Sequence, residues 1–362
     1  FGVIGPGSVV ENFIFESSCS LTVQSPAKST SHGLIAGLLY DGTVRDVHSY
    51  APMTFQSKTG VKNAAQFMAL IGYVFTQNAE VTIDSVDNFG EIIAENADGN
   101  DQGGANAFHI AGIVGFSTAT VDTQHFVTIS DCSNEGNMTS ATCRTSGICA
   151  AANRRTKMVN CINKGNQLNS CPGPDKGRIA NIACNVANVS SMTGCVNYGD
   201  IISTTSARTA GIANLSNNCE FTNCANYGNV QSDNKYRGLF WAYNNGKASW
   251  SNSVAGGTVG TYNDGKGVAD EYTDAAKVNY LGVQGASKTT LNDITYLIGV
   301  KDPEPPVESN AKLKILFIGN SFTKDAVEHI PGLLAAAGIK DIKLYHMYYG
   351  GRRVYEYNDG YT

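Results

Sequence analysis

The residue best placed to do chemistry is Ser321, in the segment Gly319-Asn320-Ser321-Phe322-Thr323. It follows an apolar run at 313–318, which is typical of a central parallel strand buried on both faces. A serine at the carboxyl end of such a strand lies where α/β sheets bind ligands. If a helix begins there, its free N–H groups can stabilise an oxyanion. The chemistry indicated is nucleophilic attack by a serine hydroxyl.

The elements that would position this serine are a strand, a helix and a second strand. Apolar residues recur at helical intervals over 325–337. A second strand is predicted at 342–347, and Gly350 and Gly351 follow it. This order of elements is typical of the start of a doubly wound α/β domain.

The strand ending in Gly-Asn-Ser-Phe-Thr resembles the first sequence block of the SGNH (GDSL-like) hydrolases. The resemblance implies a flavodoxin-like α/β fold, Ser321 as the nucleophile, and Gly351 or its neighbour as the oxyanion-hole glycine of the second block. The family's third-block Asn and its Asp-x-x-His, which activates the serine, have no match before Thr362. Neither His329 nor His346 occupies the catalytic position, so we expect the reading frame to continue and this chain alone to be inactive.

A plain strand-to-helix turn is the competing interpretation of this segment. Ser321 or Thr323 would then serve only as the N-cap of the helix. The strand, helix, strand and paired glycines together favour the hydrolase interpretation.

A repeated motif, Cys-x-Asn-x-Gly-x-Ile, fills much of the preceding chain. Its copies begin at Cys132, Cys161, Cys195 and Cys224, and an earlier copy has Val86 in the Cys place. The motif asparagines are Asn88, Asn134, Asn163, Asn197 and Asn226, at steps of 46, 29, 34 and 29 residues. One copy predicts strands at 210–215, 219–225 and 228–231. Three short strands per repeat predict a parallel β-helix or a closely related β-solenoid.

Each motif position has an expected structural role. The Cys and Ile side chains should face a narrow interior, where the cysteines stack as buried thiols. Disulfides between stacked copies are the weaker alternative. A zinc site is disfavoured because no Cys-x-x-Cys pair exists. The Asn should bond local backbone at a corner and accept a left-handed conformation, and the Gly should supply a positive φ. Tyr198, Tyr227 and Phe89 should form an exposed or half-exposed aromatic column.

This pattern resembles the Gly- and Asn-rich GLUG-type repeats of Bacteroidota surface proteins, over roughly residues 30–260. The predicted organisation is a right-handed β-solenoid at 1–260, its C-terminal cap at 261–301, a Pro-rich linker at 302–311, and the first part of the hydrolase domain at 312–362. Both ends fall within predicted elements, so a removed signal or lipoprotein leader is compatible with the sequence.

Composition narrows the classes of partner. A net charge of -5, a pI near 5.7 and the absence of a basic run disfavour nucleic-acid binding. No apolar stretch approaches the roughly 18 residues that span a membrane. The six histidines are scattered, so neither a metal nor a cofactor is predicted. We expect a secreted protein or one anchored at the cell surface.

Two functions are compatible with these patterns. The first is an SGNH-type carbohydrate esterase or deacetylase acting on an acylated polysaccharide, with the solenoid as an accessory module. The second is a glycan-binding or adhesive surface protein, in which Tyr198 and Tyr227 contact sugars; ordinary ladder packing is the competing interpretation of both tyrosines. A polysaccharide lyase is disfavoured because the repeats carry too few charges.

Overall fold

The structure is a computed structural model of the 362-residue chain. It describes residues 1–24, 29–56, 65–96, 107–171, 177–205, 207–234, 237–244, 248–251, 253–255, 257 and 259–260, together with strands at 313–319, 342–348 and 354–357. The chain divides into two compact units, Phe1–Val300 and Lys301–Thr362, which are described separately. The predicted cap and linker lie outside the described residues, and the four predicted domain ranges stay predictions.

Three sheets of parallel strands make up the described part of the first unit. The first sheet contains β1 (Val3–Ile4), β4 (Thr30–Tyr40), β7 (Gln66–Thr76), β10 (Phe108–Ala111), β11 (Val114–Ala119), β15 (Arg144–Ser146), β19 (Arg178–Ala180), β23 (Arg208–Ala210) and β27 (Arg237–Gly238). The second contains β2 (Val9–Phe15), β5 (Thr43–Ser49), β8 (Val81–Asn88), β12 (Val127–Ser130), β13 (Ser133–Asn134), β16 (Thr156–Val159), β17 (Ile162–Asn163), β20 (Ala183–Thr193), β21 (Val196–Asn197), β24 (Ala213–Thr222), β25 (Ala225–Asn226), β28 (Trp241–Asn244), β29 (Ala248–Ser251) and β30 (Val254–Ala255). The third contains β3 (Leu21–Gln24), β6 (Met53–Gln56), β9 (Ile92–Glu95), β14 (Met138–Ser140), β18 (Gln167–Asn169), β22 (Ile201–Ser203), β26 (Val230–Gln231) and β31 (Val259–Gly260).

The chain visits these sheets in rotation, from the first to the second to the third and back. We call one such circuit a pass. Strands of one pass pair in parallel with their counterparts in the neighbouring passes, as β14 pairs with both β9 and β18. The predicted mainly-β architecture with parallel sheets is confirmed, and the described residues contain no helix.

Successive copies of the motif lie directly over one another. The five motif asparagines are aligned in register from Asn88 to Asn226. Beside them, one inward column of the second sheet consists of Ile83, Ile129, Met158, Met192 and Phe221, all fully buried. Burying each such side chain stabilises the fold by about 1.5–3 kcal/mol, so the apolar columns supply most of the core.

The strand bounds predicted for one copy are partly wrong. In place of separate strands at 210–215 and 219–225, β24 runs without a break from Ala213 to Thr222, and β25 follows at Ala225–Asn226. Asn218, with a φ of 51°, turns the chain inside β24. A single left-handed residue redirects the backbone while pairing with β20 continues on both sides, so no loop is needed.

Two predictions about turns are wrong. The left-handed residue of each motif copy is the one before the Cys, such as Asp131, Asn160 and Asn223, rather than the motif Asn. The motif glycines have no left-handed φ. They are required by close approach, because a Cβ at Gly199 would overlap the carbonyl oxygen of Gly165 in the preceding pass.

The described part of the second unit is a three-stranded sheet. β32 (Leu313–Gly319) pairs in parallel with β33 (Ile342–Tyr348), and β34 (Val354–Tyr357) pairs with β33 in the antiparallel direction. Strands therefore lie at both predicted positions. The antiparallel β34 was not predicted and adds a return strand that a simple strand-helix-strand unit lacks. The predicted helix at 325–337 lies outside the described residues.

Candidate functional site

The predicted catalytic residues Ser321 and Gly351 lie outside the described residues. The strands that precede them are described, and Gly319 at the end of β32 is aligned with Tyr348 at the end of β33. The carboxyl ends of parallel strands share one edge of a sheet, so the chain leaves this edge once towards Ser321 and once towards Gly351. His346 lies within β33, aligned with Phe317, and not at the end of the strand.

The motif cysteines form a column of buried thiols in the first unit. Cys132, Cys161, Cys195 and Cys224 are free and fully buried. The Cys161 thiol donates to the carbonyl oxygen of Ile129 at 3.3 Å. Burial raises the pKa of the Cys132 thiol well above its usual value, and a hydrogen bond with Cys161 raises it further. Thiol–thiol hydrogen bonds and burial together raise the pKa of Cys161 and Cys195 as well, so these three thiols are protonated at neutral pH and pack as small apolar side chains.

Among the described residues, one disulfide joins Cys143 and Cys171, with Cα atoms 5.2 Å apart. Neither residue belongs to the motif, so the motif pattern could not indicate this pair. The two cysteines are 28 residues apart, close to one repeat step, and the bond joins neighbouring passes. A spacing near the repeat length is the signal that could have identified it.

The motif asparagines form a hydrogen-bonded ladder inside the fold. Asn163 donates from Nδ2 to the carbonyl oxygen of Gly165 at 2.8 Å and to Oδ1 of Asn197 at 2.9 Å, and its Oδ1 accepts from Asn134 at 2.9 Å. The same pattern links Asn88 to Asn134 and Asn197 to Asn226. Each amide is fully buried. The bond to local backbone was predicted, whereas the contacts between passes were not.

Tyr198 and Tyr227 are stacked in adjacent passes, with ring centroids 4.6 Å apart and an interplanar angle of 18°. Tyr198 is 39% exposed, but Tyr227 is only 6% exposed, so the expected half-exposed column is wrong for Tyr227. Each ring covers one face of the other.

The same column continues through earlier passes. Glu135 and Lys164 form an ion pair with Oε1 and Nζ 2.6 Å apart. Tyr50 and Phe89 stack with centroids 4.8 Å apart. The corner therefore presents an ion pair flanked by two aromatic pairs, and Lys164 is the residue aligned next to Tyr198.

Two further observations concern the described residues as a whole. No group of three or more His, Cys, Asp or Glu side chains among them is arranged to hold a metal ion. Within the described ranges there is no helix long and apolar enough to cross a membrane.

Comparison with known proteins does not identify this chain. No family model, curated protein or solved structure matches it. Function must therefore be argued from the residues themselves.

A column of arginines on the first sheet was not predicted from the sequence. Arg144, Arg178 and Arg208 are aligned in three successive passes, and His109 precedes them in the same register. The sequence contains a pattern that could have revealed this column, because each arginine lies three residues before the Gly or Asn of an apolar run. The three segments are Arg144-Thr-Ser-Gly, Arg178-Ile-Ala-Asn and Arg208-Thr-Ala-Gly.

Proposed function

We propose that this protein is a secreted or cell-surface carbohydrate esterase or deacetylase of the SGNH type. In this proposal, residues 1–260 wind as a right-handed β-solenoid that serves as an accessory module, and the hydrolase domain begins at residue 312. The observation that carries the enzymatic part is the parallel pairing of Leu313–Gly319 with Ile342–Tyr348, which brings the segments before Ser321 and Gly351 to one edge of a sheet.

The proposed reaction is acyl transfer to water. The Ser321 hydroxyl attacks the carbonyl carbon of an acyl ester, and the N–H of Gly351 stabilises the oxyanion. The alcohol leaves with a proton, and water then releases the carboxylate from the acyl-serine. The reaction also requires a histidine that takes the serine proton and returns it to the leaving alcohol, and neither His329 nor His346 matches the family's position for it.

The test uses the complete reading frame. It should continue beyond Thr362 into a third-block Asn and an Asp-x-x-His, and the protein should hydrolyse a model acetyl ester. Ser321→Ala should lower that rate by at least about 1,000-fold, while Ser309→Ala, a serine outside the block, should leave it unchanged. A reading frame that ends at Thr362 would contradict the proposal, as would an unchanged rate for Ser321→Ala.

A second candidate function is glycan binding by the first unit without catalysis. The observation favouring it is the Tyr198 ring, 39% exposed and beside Lys164, which combines an apolar group with a hydrogen-bond donor. A glycan array probed with the full chain should show saturable binding that Tyr198→Ala removes. Tyr40→Ala is the matched control, because Tyr40 is another half-buried tyrosine stacked on an aromatic ring, Phe75. Binding that survives Tyr198→Ala would exclude this site.

A further inference from the structure

A group of positive charges lies on the outer face of the second sheet, within a single pass. Arg154 and Arg155 immediately precede β16, and Lys157 lies within it. Thr156 and Met158, on either side of Lys157, are fully buried, whereas Lys157 is exposed and both arginines are half-buried. The chain as a whole carries a net charge of -5, so these three cations, the cationic cluster, are a local feature of the surface.

The ring of Phe126, in the preceding pass, brings two of these cations together. Lys157 Nζ lies 3.9 Å from the ring centroid, and Arg155 Cζ lies 5.4 Å from it. Val127 is aligned with Thr156, so Phe126 and Arg155, one residue earlier in each segment, are neighbours. Cations are attracted to the face of an aromatic ring, whereas like charges repel each other. The ring therefore positions two positive groups side by side at the surface.

Two carboxylates flank the cationic cluster in the register. Glu80 Oε2 accepts the Phe126 N–H at 2.7 Å, and Glu80 Oε1 lies 3.6 Å from His125 Nδ1. Glu220 is exposed and lies two passes beyond Lys157 in the same outward column. Within the described ranges, the ion pairs join other residues. The Phe126 ring, and not a carboxylate, is thus the group that Lys157 contacts.

Hydroxyl and apolar groups surround the cationic cluster. Thr128 and Ser191, both half-buried, lie on either side of Lys157 in register. Val189, which is 53% exposed, is the neighbour of Arg155 in the following pass. Neighbouring strands are about 4.8 Å apart, so the three passes cover about 10 Å, which a short oligosaccharide can span.

This combination of groups fits a saccharide that carries one anionic group. Guanidinium and ammonium groups bind carboxylate, sulfate and phosphate oxygens. Hydroxyl side chains donate to and accept from sugar hydroxyls, and apolar side chains pack on the C–H face of a sugar ring. In the two neighbouring passes, the positions equivalent to Arg155 and Lys157 hold uncharged residues. The positive charge is therefore confined to one pass, which favours one anionic group over a repeated series.

We propose that the cationic cluster and the groups around it bind an acidic saccharide through a single carboxylate, sulfate or phosphate group. The anionic group contacts Arg155 and Lys157, and the adjoining sugar hydroxyls bond Thr128 and Ser191. This site shares no residue with the proposed hydrolase or with the Tyr198 site, so it does not depend on either proposed function.

The binding test uses the full chain and trigalacturonic acid as the carboxylate probe. Calorimetric titration at low ionic strength should show binding that weakens as salt is added, since the screening length falls from about 10 Å at 0.1 M to about 3 Å at 1 M. Arg155→Gln and Lys157→Gln should each weaken binding about tenfold, as expected when a hydrogen bond to a charged group is lost. Phe126→Leu keeps both charges but no longer holds them together, and it should weaken binding about threefold. Arg45→Gln is the matched control, because exposed Arg45 is paired with Glu11, and it should bind as the wild type does.

Further probes distinguish the sources of the anionic group. N-acetylglucosamine 6-sulfate and glucose 6-phosphate replace the carboxylate by sulfate and phosphate, and binding of either that Lys157→Gln weakens would support the proposal. Neutral maltotriose should not bind. Circular dichroism should show that Lys157→Gln melts as the wild type does, so that its loss of affinity reports binding and not unfolding.

Three results would overturn the proposal. The first is that none of the three acidic probes binds, including the case in which phosphatidylglycerol vesicles bind in their place. The second is that maltotriose binds as tightly as trigalacturonic acid. The third is that Lys157→Gln keeps the affinity of the wild type, or loses no more of it than Arg45→Gln does.

Discussion

The buried asparagine ladder makes the fold sensitive to a change of one atom. In Asn163→Asp, the Nδ2 donor is replaced by oxygen, which then faces the Gly165 carbonyl oxygen and Asn197 Oδ1 at the former hydrogen-bond distances of 2.8 and 2.9 Å. A protonated carboxyl group can still donate to one of these acceptors, so the cost at low pH is about 1–3 kcal/mol.

At neutral pH the cost is larger, because an ionised carboxylate cannot donate at all. The buried, donor-poor site raises the folded-state pKa of the new carboxyl group, and a rise of about 3 units adds about 4 kcal/mol. A raised folded-state pKa means that stability is retained below the unfolded value of about 3.9 and is lost as pH rises from about 4 towards 7. A total near 6 kcal/mol is comparable with the whole stability of many domains.

The assay is urea unfolding followed by circular dichroism at pH 4 and pH 7. The matched control is Asn166→Asp in the same repeat copy, because exposed Asn166 uses its Oδ1 only to accept the Asp200 N–H, at 2.8 Å. The control should change stability by less than about 1 kcal/mol and should not share the pH dependence. If Asn163→Asp unfolds at the same urea concentration as the control at both pH values, the ladder does not contribute as argued.

Two further perturbations test the other motif positions. Gly199→Ala should destabilise the protein by about 3 kcal/mol, since its Cβ would overlap the Gly165 carbonyl oxygen, whereas Gly5→Ala, with open space around it, should have little effect on the melting temperature. A thiol reagent should modify only exposed Cys19 in the native protein, eight cysteines after unfolding, and all ten after unfolding with reduction. The other thiols are protected because burial raises the pKa of thiols such as Cys132 and also blocks access of the reagent. Rapid modification of a second thiol in the native protein would contradict this explanation.

The repeated motif was sufficient to predict parallel pairing between its copies. A Cys and an Asn that recur at a fixed offset must occupy equivalent places, and equivalent places in stacked strands are neighbours. The structure places Ser133 and Asn134 beside Ile162 and Asn163, as this reasoning requires. The apolar run at 313–318 likewise located the strand at Leu313–Gly319.

The errors share a physical origin, which is contact between passes. Sequence rules assign glycine to positive φ, but Gly136 and Gly165 are selected by the closeness of the neighbouring pass. The rule for left-handed residues points to any Asn, and only the register shows that Asn160 takes this conformation while Asn163 does not. The row containing Arg178 was missed because residues one repeat apart become neighbours only once the register is known.

The register also explains why a repeat has glycine at two positions, one in the apolar run and one in the Cys-x-Asn-x-Gly-x-Ile motif. A methyl group at Gly147, in the apolar run, would overlap Oδ1 of Asn163, and one at Gly199, in the next motif copy, would lie 2.8 Å from its Nδ2. The two glycines therefore enclose one buried amide from both sides.

This arrangement tolerates repeats of unequal length. The loops between an apolar run and the next motif copy can vary in length, as the steps of 46, 29, 34 and 29 residues between motif asparagines show. The asparagine ladder is kept through these changes in length. Asn181 tests the rule, because it replaces glycine in the run aligned with Gly147. It is accommodated by donating its own amide to the Gly199 carbonyl oxygen at 2.6 Å. The Asn181 side chain is thus accepted in this pass because it joins the hydrogen-bonded ladder.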